Sequence, residues 1–373
     1  MTHASTPEDV LKDVFGYDSF RPHQREVVGA ALDGRDALAV MPTSAGKSIC
    51  YQVPAILLPG VAVVVSPLIS LMADQVAALE ACGVEAAYLN STLSAAEQAD
   101  VLARVARDLD FLYVAPERLG DPRLAAAVAR RGCPIVAVDE AHCISQWGAD
   151  FRPDYLRIRD AVDAVAAAQG SRPAILALTA TATDAVRADI AASLGLVDPL
   201  RVVASFDRPN LAFSCERFPN ERRRTDWVVS YVRAHADTSG IVYCATRKQV
   251  DALHEALRAA GVRAARYHAG MAESERAQAQ DDFTHDRCCC VVATNAFGMG
   301  IDKSDVSYVL HRSLPLTLEA YYQEAGRAGR DGSPAECVLL YREADLQTAR
   351  FLISHGSEAS DGDPGAEARL QAA

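Results

Sequence analysis

The segment Met41-Pro42-Thr43-Ser44-Ala45-Gly46-Lys47-Ser48 follows the apolar run 37–40, and a second apolar run, 135–138, ends in Asp139-Glu140-Ala141-His142. A turn that leaves a strand and opens a helix points several backbone N–H groups at a phosphate chain. A lysine at its end adds a full positive charge, and the following hydroxyl can ligate Mg²⁺. Thr43, Gly46, Lys47 and Ser48 are therefore candidate nucleotide-binding residues. Asp139 would share the metal with Ser48, and Glu140 would stand beside the attacking water, as phosphoryl transfer to water requires. Met41 occupies the first glycine position of the GxxxxGK pattern, and Ser44 and Ala45 stand where such loops often carry glycine. The loop either avoids the left-handed region there or accepts on the order of 1 kcal/mol of strain. The loop alone also reads as an ordinary strand-turn-helix with a surface lysine; the acidic tetrapeptide at the end of another apolar strand argues against that.

A further constellation lies late in the chain, in Gln323-Glu324-Ala325-Gly326-Arg327-Ala328-Gly329-Arg330. Read as the start of a helix, it puts two arginines on one face, from which they could reach a γ-phosphate across a cleft. An arginine so placed is worth about 10³–10⁵ in rate. A solvated basic helix end is the alternative.

These groups need a scaffold, and the chain supplies an alternating one. From 37 to about 203, strand candidates at 61–66, 111–114, 135–138 and 175–179 are separated by helical patterns at 73–82, 95–108 and 184–194, which predicts a parallel sheet covered on both faces. The rhythm breaks at 205–210 and over the charged stretch 216–226, where no strand-helix alternation is visible, so the boundary falls there: a first domain over 1–203 and a second over 204–345. The second series runs through strands at 240–244, 263–267, 288–294, 308–312 and 336–341 and helices at 247–260, 273–283 and 318–324. Residues 346–373 are polar and glycine-rich and are expected to be a disordered tail.

With 373 residues, 50% hydrophobic and 23% charged, the chain has the composition of a globular enzyme of two domains. Its net charge of −12 argues against a polycation that coats nucleic acid, while leaving room for a local basic groove. No signal peptide or membrane span is visible, so a cytoplasmic protein is expected. Ten cysteines show no paired C-x₂-C spacing, so no zinc is predicted, and Cys288-Cys289-Cys290 read as small apolar residues entering a buried strand.

The chain resembles the helicase core of the RecQ family of superfamily 2 DNA helicases over about residues 12–345. The matching segments include 15–17 with 20–24, the phosphate loop with 49–52, 65–72, 113–119, 139–148, 178–183, 206–211, 267–270, 293–303 and the arginine-rich segment. The resemblance implies two tandem RecA-like α/β domains with ATP in the interdomain cleft and Mg²⁺ as cofactor. It gives Lys47, Asp139, Glu140, Gln323, Arg327 and Arg330 as the catalytic set, with Arg330 the arginine finger. Gln24 would read the adenine edge, Tyr17 stack on the ring, Arg21 support the nucleotide and Asp302 join near the ribose; Tyr17 and Gln24 also read as surface residues before a helix. The segment 145–155 resembles the family's aromatic-rich loop that senses single-stranded DNA, with Trp147 and Phe151 as stacking faces and Arg152 for a phosphate; a hydrophobic plug is the alternative. Ala149 stands where the family usually has His. Ser66, Thr92, Thr294 and Asn295 are candidate contacts to the strand's backbone.

The implied function is a 3′-to-5′ ATP-dependent DNA helicase acting on single-stranded DNA and 3′-overhang duplexes. The family's zinc subdomain is not expected, because no cysteine follows Cys337, nor is strand splitting by a winged helix, because 32 residues follow Tyr341. Two rivals remain: an ATPase-weak DNA-binding or annealing adaptor, against which the intact Lys47, Asp139 and Glu140 speak, and an RNA helicase, against which Ser145-Gln146-Trp147-Gly148 speaks.

Overall fold

Val63 and Val65 face one side of a strand and Ala62 and Val64 the other, and all four are buried, each pair in a separate core cluster. The same division runs through the neighbouring strands, so continuous apolar runs, rather than alternating ones, are what this sheet needs. The computed structural model describes residues 6–42, 45–146, 151–205, 207–297, 303–315 and 317–347. It forms two compact units, 1–206 and 207–373. The expected tail lies outside the described residues from 348 on.

The first unit runs α1 (Pro7–Asp13), α2 (Gln24–Leu32), β1 (Ala37–Val40), α3 (Ile49–Leu57), β2 (Ala62–Val65), α4 (Ile69–Ala81), β3 (Ala86–Leu89) and α5 (Ala95–Val105). It continues with β4 (Phe111–Val114), α6 (Pro122–Arg131), β5 (Ile135–Val138), α7 (Ile158–Gln169), β6 (Ala174–Thr179), α8 (Asp184–Leu194) and β7 (Leu200–Val203). Its sheet is parallel, in the order β3-β4-β2-β5-β6-β1-β7. Pairings such as Val40 with Thr179 and Val65 with Val138 bring the carboxyl ends of β1, β2, β5 and β6 to one edge, where open α/β sheets hold ligands. The opposite edge is clasped by buried Asp36, which takes two bonds from Arg172 at 2.8 and 2.9 Å and the N–H groups of Ile175 and Val197 at 2.8 and 2.7 Å. Helix starts follow local chemistry; Ser94 and Glu97 cap α5 reciprocally.

The second unit runs β8 (Leu211–Arg217), α9 (Glu221–Ala234), β9 (Ser239–Tyr243), α10 (Arg247–Ala259), β10 (Ala264–Tyr267), α11 (Glu273–Thr284), β11 (Cys290–Ala293), β12 (Val306–His311), α12 (Leu318–Ala325) and β13 (Ala335–Tyr341). Its parallel sheet has the order β10-β11-β9-β12-β13-β8. The expected break over 216–226 is corrected here, for the end of β8 and the start of α9 occupy it. As an edge strand, β8 buries only Leu211 and shows no alternation. Helix α9 buries Arg224 beside Val228 and Val232. That guanidinium reaches Arg312 O at 2.6 Å, Leu340 O at 3.2 Å and Asp345 at 2.6 Å, and Glu221 pairs with Arg224, Arg312 and Arg342. Among the described residues no helix is long and apolar enough to cross a membrane.

Candidate nucleotide and nucleic-acid site

Met41, directly after β1, is fully buried in the core, and its N–H donates to Thr179 O at 2.9 Å. Neither Met41 nor Ala45 has a positive φ, whereas Gly46 does, at +68°. The phosphate loop therefore avoids left-handed backbone at those two replaced positions, and Met41 serves the core. Lys47 Nζ turns back to Met41 O at 3.3 Å, and Ser48 stands at the N-cap of α3. Thr43 lies outside the described residues.

Gln24 opens α2 and is buried, with its amide committed to the loop. Nε2 donates to the carbonyls of Ala45 and Gly46, both at 2.9 Å, and Oε1 accepts from Arg21 N at 2.8 Å. A Cβ on Gly46 would lie 2.8 Å from Nε2, so the residue type fits both the positive φ and the close approach. Tyr17 is exposed nearby in sequence, as a stacking ring must be.

Asp139 follows β5, its N–H bonded to Val65 O at 2.9 Å, and Glu140 turns the chain with φ 46° and ψ 48°. Burial and the adjoining Glu140 carboxylate push the Asp139 carboxyl up to about 7, with Lys47 opposing them. His142 Nδ1 lies 3.3 Å from Glu140 Oε2 and 2.8 Å from Thr179 Oγ1. Burial disfavours charge on this imidazole, but the Cys143 thiol and Glu140 raise it to about 10. Two half-buried carboxylates side by side, with the Ser48 hydroxyl on the loop, are all-oxygen donors that suit a hard cation. Among the described residues no three His, Cys, Asp or Glu side chains cluster to hold a metal alone. Mg²⁺ therefore fits this site as an ion shared with nucleotide phosphates.

Of the candidate DNA residues, Phe151 and Arg152 are half-buried, and Arg152 Nη1 donates to Pro67 O at 3.1 Å. Ser66 is buried, Thr92 is exposed and bonds Asn90 Oδ1 through its hydroxyl at 2.7 Å, Thr294 is buried, and Asn295 is exposed. Trp147, Ala149 and Asp302 lie outside the described residues.

In the second unit the arginines do not share a helical face. Helix α12, capped by the Thr317 hydroxyl on Ala320 N at 3.0 Å, ends at Ala325, and Arg327 and Arg330 occupy the turn that follows. Gly329, at φ +56°, breaks the helical path, and its N–H donates to Val306 O at 2.8 Å. The turn is held by two residues to which sequence reasoning assigned no role. Arg208 Nη2 donates to Ala328 O at 3.0 Å and Gly329 O at 2.8 Å, and Asn210 Nδ2 donates to Gly329 O and Ser333 O, both at 2.9 Å. On α12, Glu324 bonds the buried His311 at 2.9 Å, and Gln323 precedes it. Burial pushes the Tyr243 phenol up to about 12 while the nearby Arg327 pulls it down.

The family described as DEAD/DEAH box helicase matches residues 21–189, and the helicase conserved C-terminal domain matches 223–332. The chain is 47% identical to the ATP-dependent DNA helicase RecQ of Haemophilus influenzae over 341 residues, 91% of this chain and 54% of the relative. It is 40% identical to the probable ATP-dependent DNA helicase RecS of Bacillus subtilis, over 93% of this chain and 69% of the relative. The chain thus spans about half the length of the RecQ relatives it matches. The solved structure of the helicase MrfA bound to DNA shares the fold, with a TM-score of 0.76 at 18% identity over 92% of this chain and 52% of that one. By sequence, the chain belongs to the RecQ family of ATP-dependent DNA helicases.

Proposed function

We propose that this chain is an ATP-driven motor that moves 3′ to 5′ along single-stranded DNA and opens short duplexes with a 3′ overhang. The observation that carries the reading is the half-buried Asp139–Glu140 pair at the end of β5, with Asp139 within the electrostatic reach of Lys47. Lys47 neutralises the phosphate chain, with Thr43 and Gly46 lining the loop around it. Ser48 and Asp139 hold Mg²⁺ with the phosphates; when bound, the ion offsets charge on the transferred group. Glu140 orients the attacking water and takes its proton. Gln323, Arg327 and Arg330 stabilise charge at the γ-phosphate, with Arg330 as the finger. Tyr17 stacks on adenine, Arg21 supports the nucleotide, Gln24 offers the base edge the remaining lone pair of an Oε1 whose amide hydrogens hold the loop, and Asp302 joins near the ribose.

Trp147 and Phe151 stack on bases, while Arg152, Ser66, Thr92, Thr294 and Asn295 hold the strand's backbone. The ten cysteines are all free thiols, which suits a reducing cytoplasm.

The test is ATP hydrolysis by the full chain alone, with single-stranded DNA, and with RNA of matched length. Stimulation by DNA is expected; stimulation by RNA alone would overturn the substrate, and none by either would leave a binding adaptor. Lys47→Ala and Glu140→Gln should each drop turnover below about a tenth while single-strand binding persists.

A further inference from the structure

Tyr155 has no part in the reading above, yet it is fully buried and its hydroxyl donates to the backbone carbonyl of Asp139 at 2.9 Å. That carbonyl belongs to the peptide joining Asp139 to Glu140. Glu140 sits in the left-handed region, which costs a residue with a Cβ and persists only where the surroundings impose it. Rotating this one peptide plane would change ψ of Asp139 and φ of Glu140 together. Both carboxylates would then be aimed elsewhere.

The phenol is itself well anchored. It belongs to the 3₁₀ turn Pro153–Arg157, and its N–H donates to Arg152 O at 3.0 Å. Arg152 fastens the start of that turn twice, through its N–H to Cys143 O at 2.8 Å and its Nη1 to Pro67 O at 3.1 Å. Cys143 lies in the 3₁₀ turn Ala141–Ile144 that follows Glu140, and Cys143 N donates to Glu140 O at 2.9 Å. The peptides on both sides of Glu140 are thus hydrogen-bonded, one to a side chain and one to the backbone of its own turn.

We propose that Tyr155 is a positioning residue for hydrolysis, whose hydroxyl holds the Asp139–Glu140 peptide so that the metal-side and water-side carboxylates are aimed together. It touches neither nucleotide nor water and acts through Glu140. The assignment rests on the ATPase reading given above. Because the same turn begins at Arg152, next to Phe151, a displacement of those residues by a bound strand is delivered to the Asp139 carbonyl without any long relay.

The experiment compares wild type with Tyr155→Phe and with two replacements of the same ring, 4-aminophenylalanine, which keeps a donor, and 4-fluorophenylalanine, which keeps the size without one. Steady-state ATPase at saturating single-stranded DNA, strand affinity and melting temperature are measured. Loss of the donor should lower kcat by about 10- to 100-fold, as expected of a misaimed catalytic group. Kd for the strand should stay within about twofold, because its contacts are untouched, and KM for ATP should move far less than kcat, because the phosphate loop still holds the nucleotide. The amino ring should recover most of the rate. Wild-type kcat in the phenylalanine and fluoro variants, or a loss that the amino ring does not repair, overturns the assignment. Should Tyr155→Phe fail to fold, the amino and fluoro pair decides alone. If the wild type hydrolyses no ATP, the functional reading fails and this role falls with it; an active wild type with an equally active phenylalanine variant overturns only the role of Tyr155.

Discussion

His142 and Thr179 meet through a 2.8 Å hydrogen bond between the imidazole Nδ1 and the threonine Oγ1. The Thr179 hydroxyl gives its own hydrogen to Thr181 O at 3.1 Å, so it accepts from His142, whose Nδ1 carries a proton. The carbonyl of the same threonine accepts from Met41 N at 2.9 Å. One residue at the end of β6 therefore touches both the segment that carries the acidic pair and the first residue of the phosphate loop.

Thr179→Val keeps the branched shape and removes the hydroxyl, leaving His142 Nδ1 with Glu140 at 3.3 Å. The expected cost to the first unit is about 1–2 kcal/mol, that of one buried hydrogen bond. ATP turnover should fall by about tenfold, since a catalytic carboxylate is then less well positioned. Denaturant unfolding and steady-state kinetics on the same preparation check both numbers. Wild-type turnover would show that the bridge serves stability alone.

Gln24→Ala removes the amide that gathers the Ala45 and Gly46 carbonyls. KM for ATP should rise by about tenfold or more, as two carbonyls lose a buried partner and the loop loses its shape. If the amide also reads adenine, the preference for ATP over GTP should fall in the same variant. An unchanged ATP/GTP ratio beside a raised KM would assign Gln24 to the loop and place base recognition elsewhere.

The local part of this architecture was legible from the chain. The phosphate loop, the acidic tetrapeptide and the core strands are each a run of neighbours, and period and punctuation report on neighbours. Pairing across distance was not legible. Nothing near Arg224 in sequence shows that its charge ends on Arg312 O, Leu340 O and Asp345, so the charged stretch read as a break when it is the start of α9. Arg208, Asn210 and Tyr155 went unassigned for the same reason, their partners being backbone carbonyls with no identity of their own. The helical placement of Arg327 and Arg330 missed a signal that was present, since glycines at 326, 329 and 332 interrupt the pattern.

Gly329→Ala tests how tightly the arginine turn is held. Its Cβ would fall 2.4 Å from Asn210 Nδ2 and 2.6 Å from Ser333 O at φ +56°, so the turn must shift. ATP turnover should drop by at least about 100-fold if Arg327 and Arg330 act at the phosphate, short of the roughly 10³–10⁵ for losing such an arginine outright because the side chains remain. Circular dichroism should remain that of the wild type. Turnover near wild type would remove these arginines from the catalytic set.

Glu221 pairs with three arginines, and although burial opposes its charge, Arg312, Arg224 and Arg342 hold its carboxyl below its ordinary value of 4.5. A depressed value means stability that is present above pH 4.5 and is lost as pH falls through the lower, folded-state value. Glu221→Gln should therefore destabilise the second unit at pH 7 by about 1–2 kcal/mol, kept modest by solvent screening at this half-exposed side chain. The difference from wild type should vanish in acid. A penalty independent of pH would mean that the glutamine fails for reasons of packing.

The order of the second sheet sets a schedule for the nascent chain. Strand β8 leads the second unit, yet it pairs only with β13, which separates it from β12. As the ribosome makes the chain, β8 must wait for Tyr341 to emerge, on the order of ten seconds at ordinary translation speed. Throughout that interval it is an unpaired edge bearing Phe213, whose side chain is half exposed even in the finished fold. The first unit, its sheet complete by Val203, can already be folded. Slowed synthesis between residues 217 and 335 would therefore burden this protein through aggregation of half-made chains, with no change in the stability of those that finish.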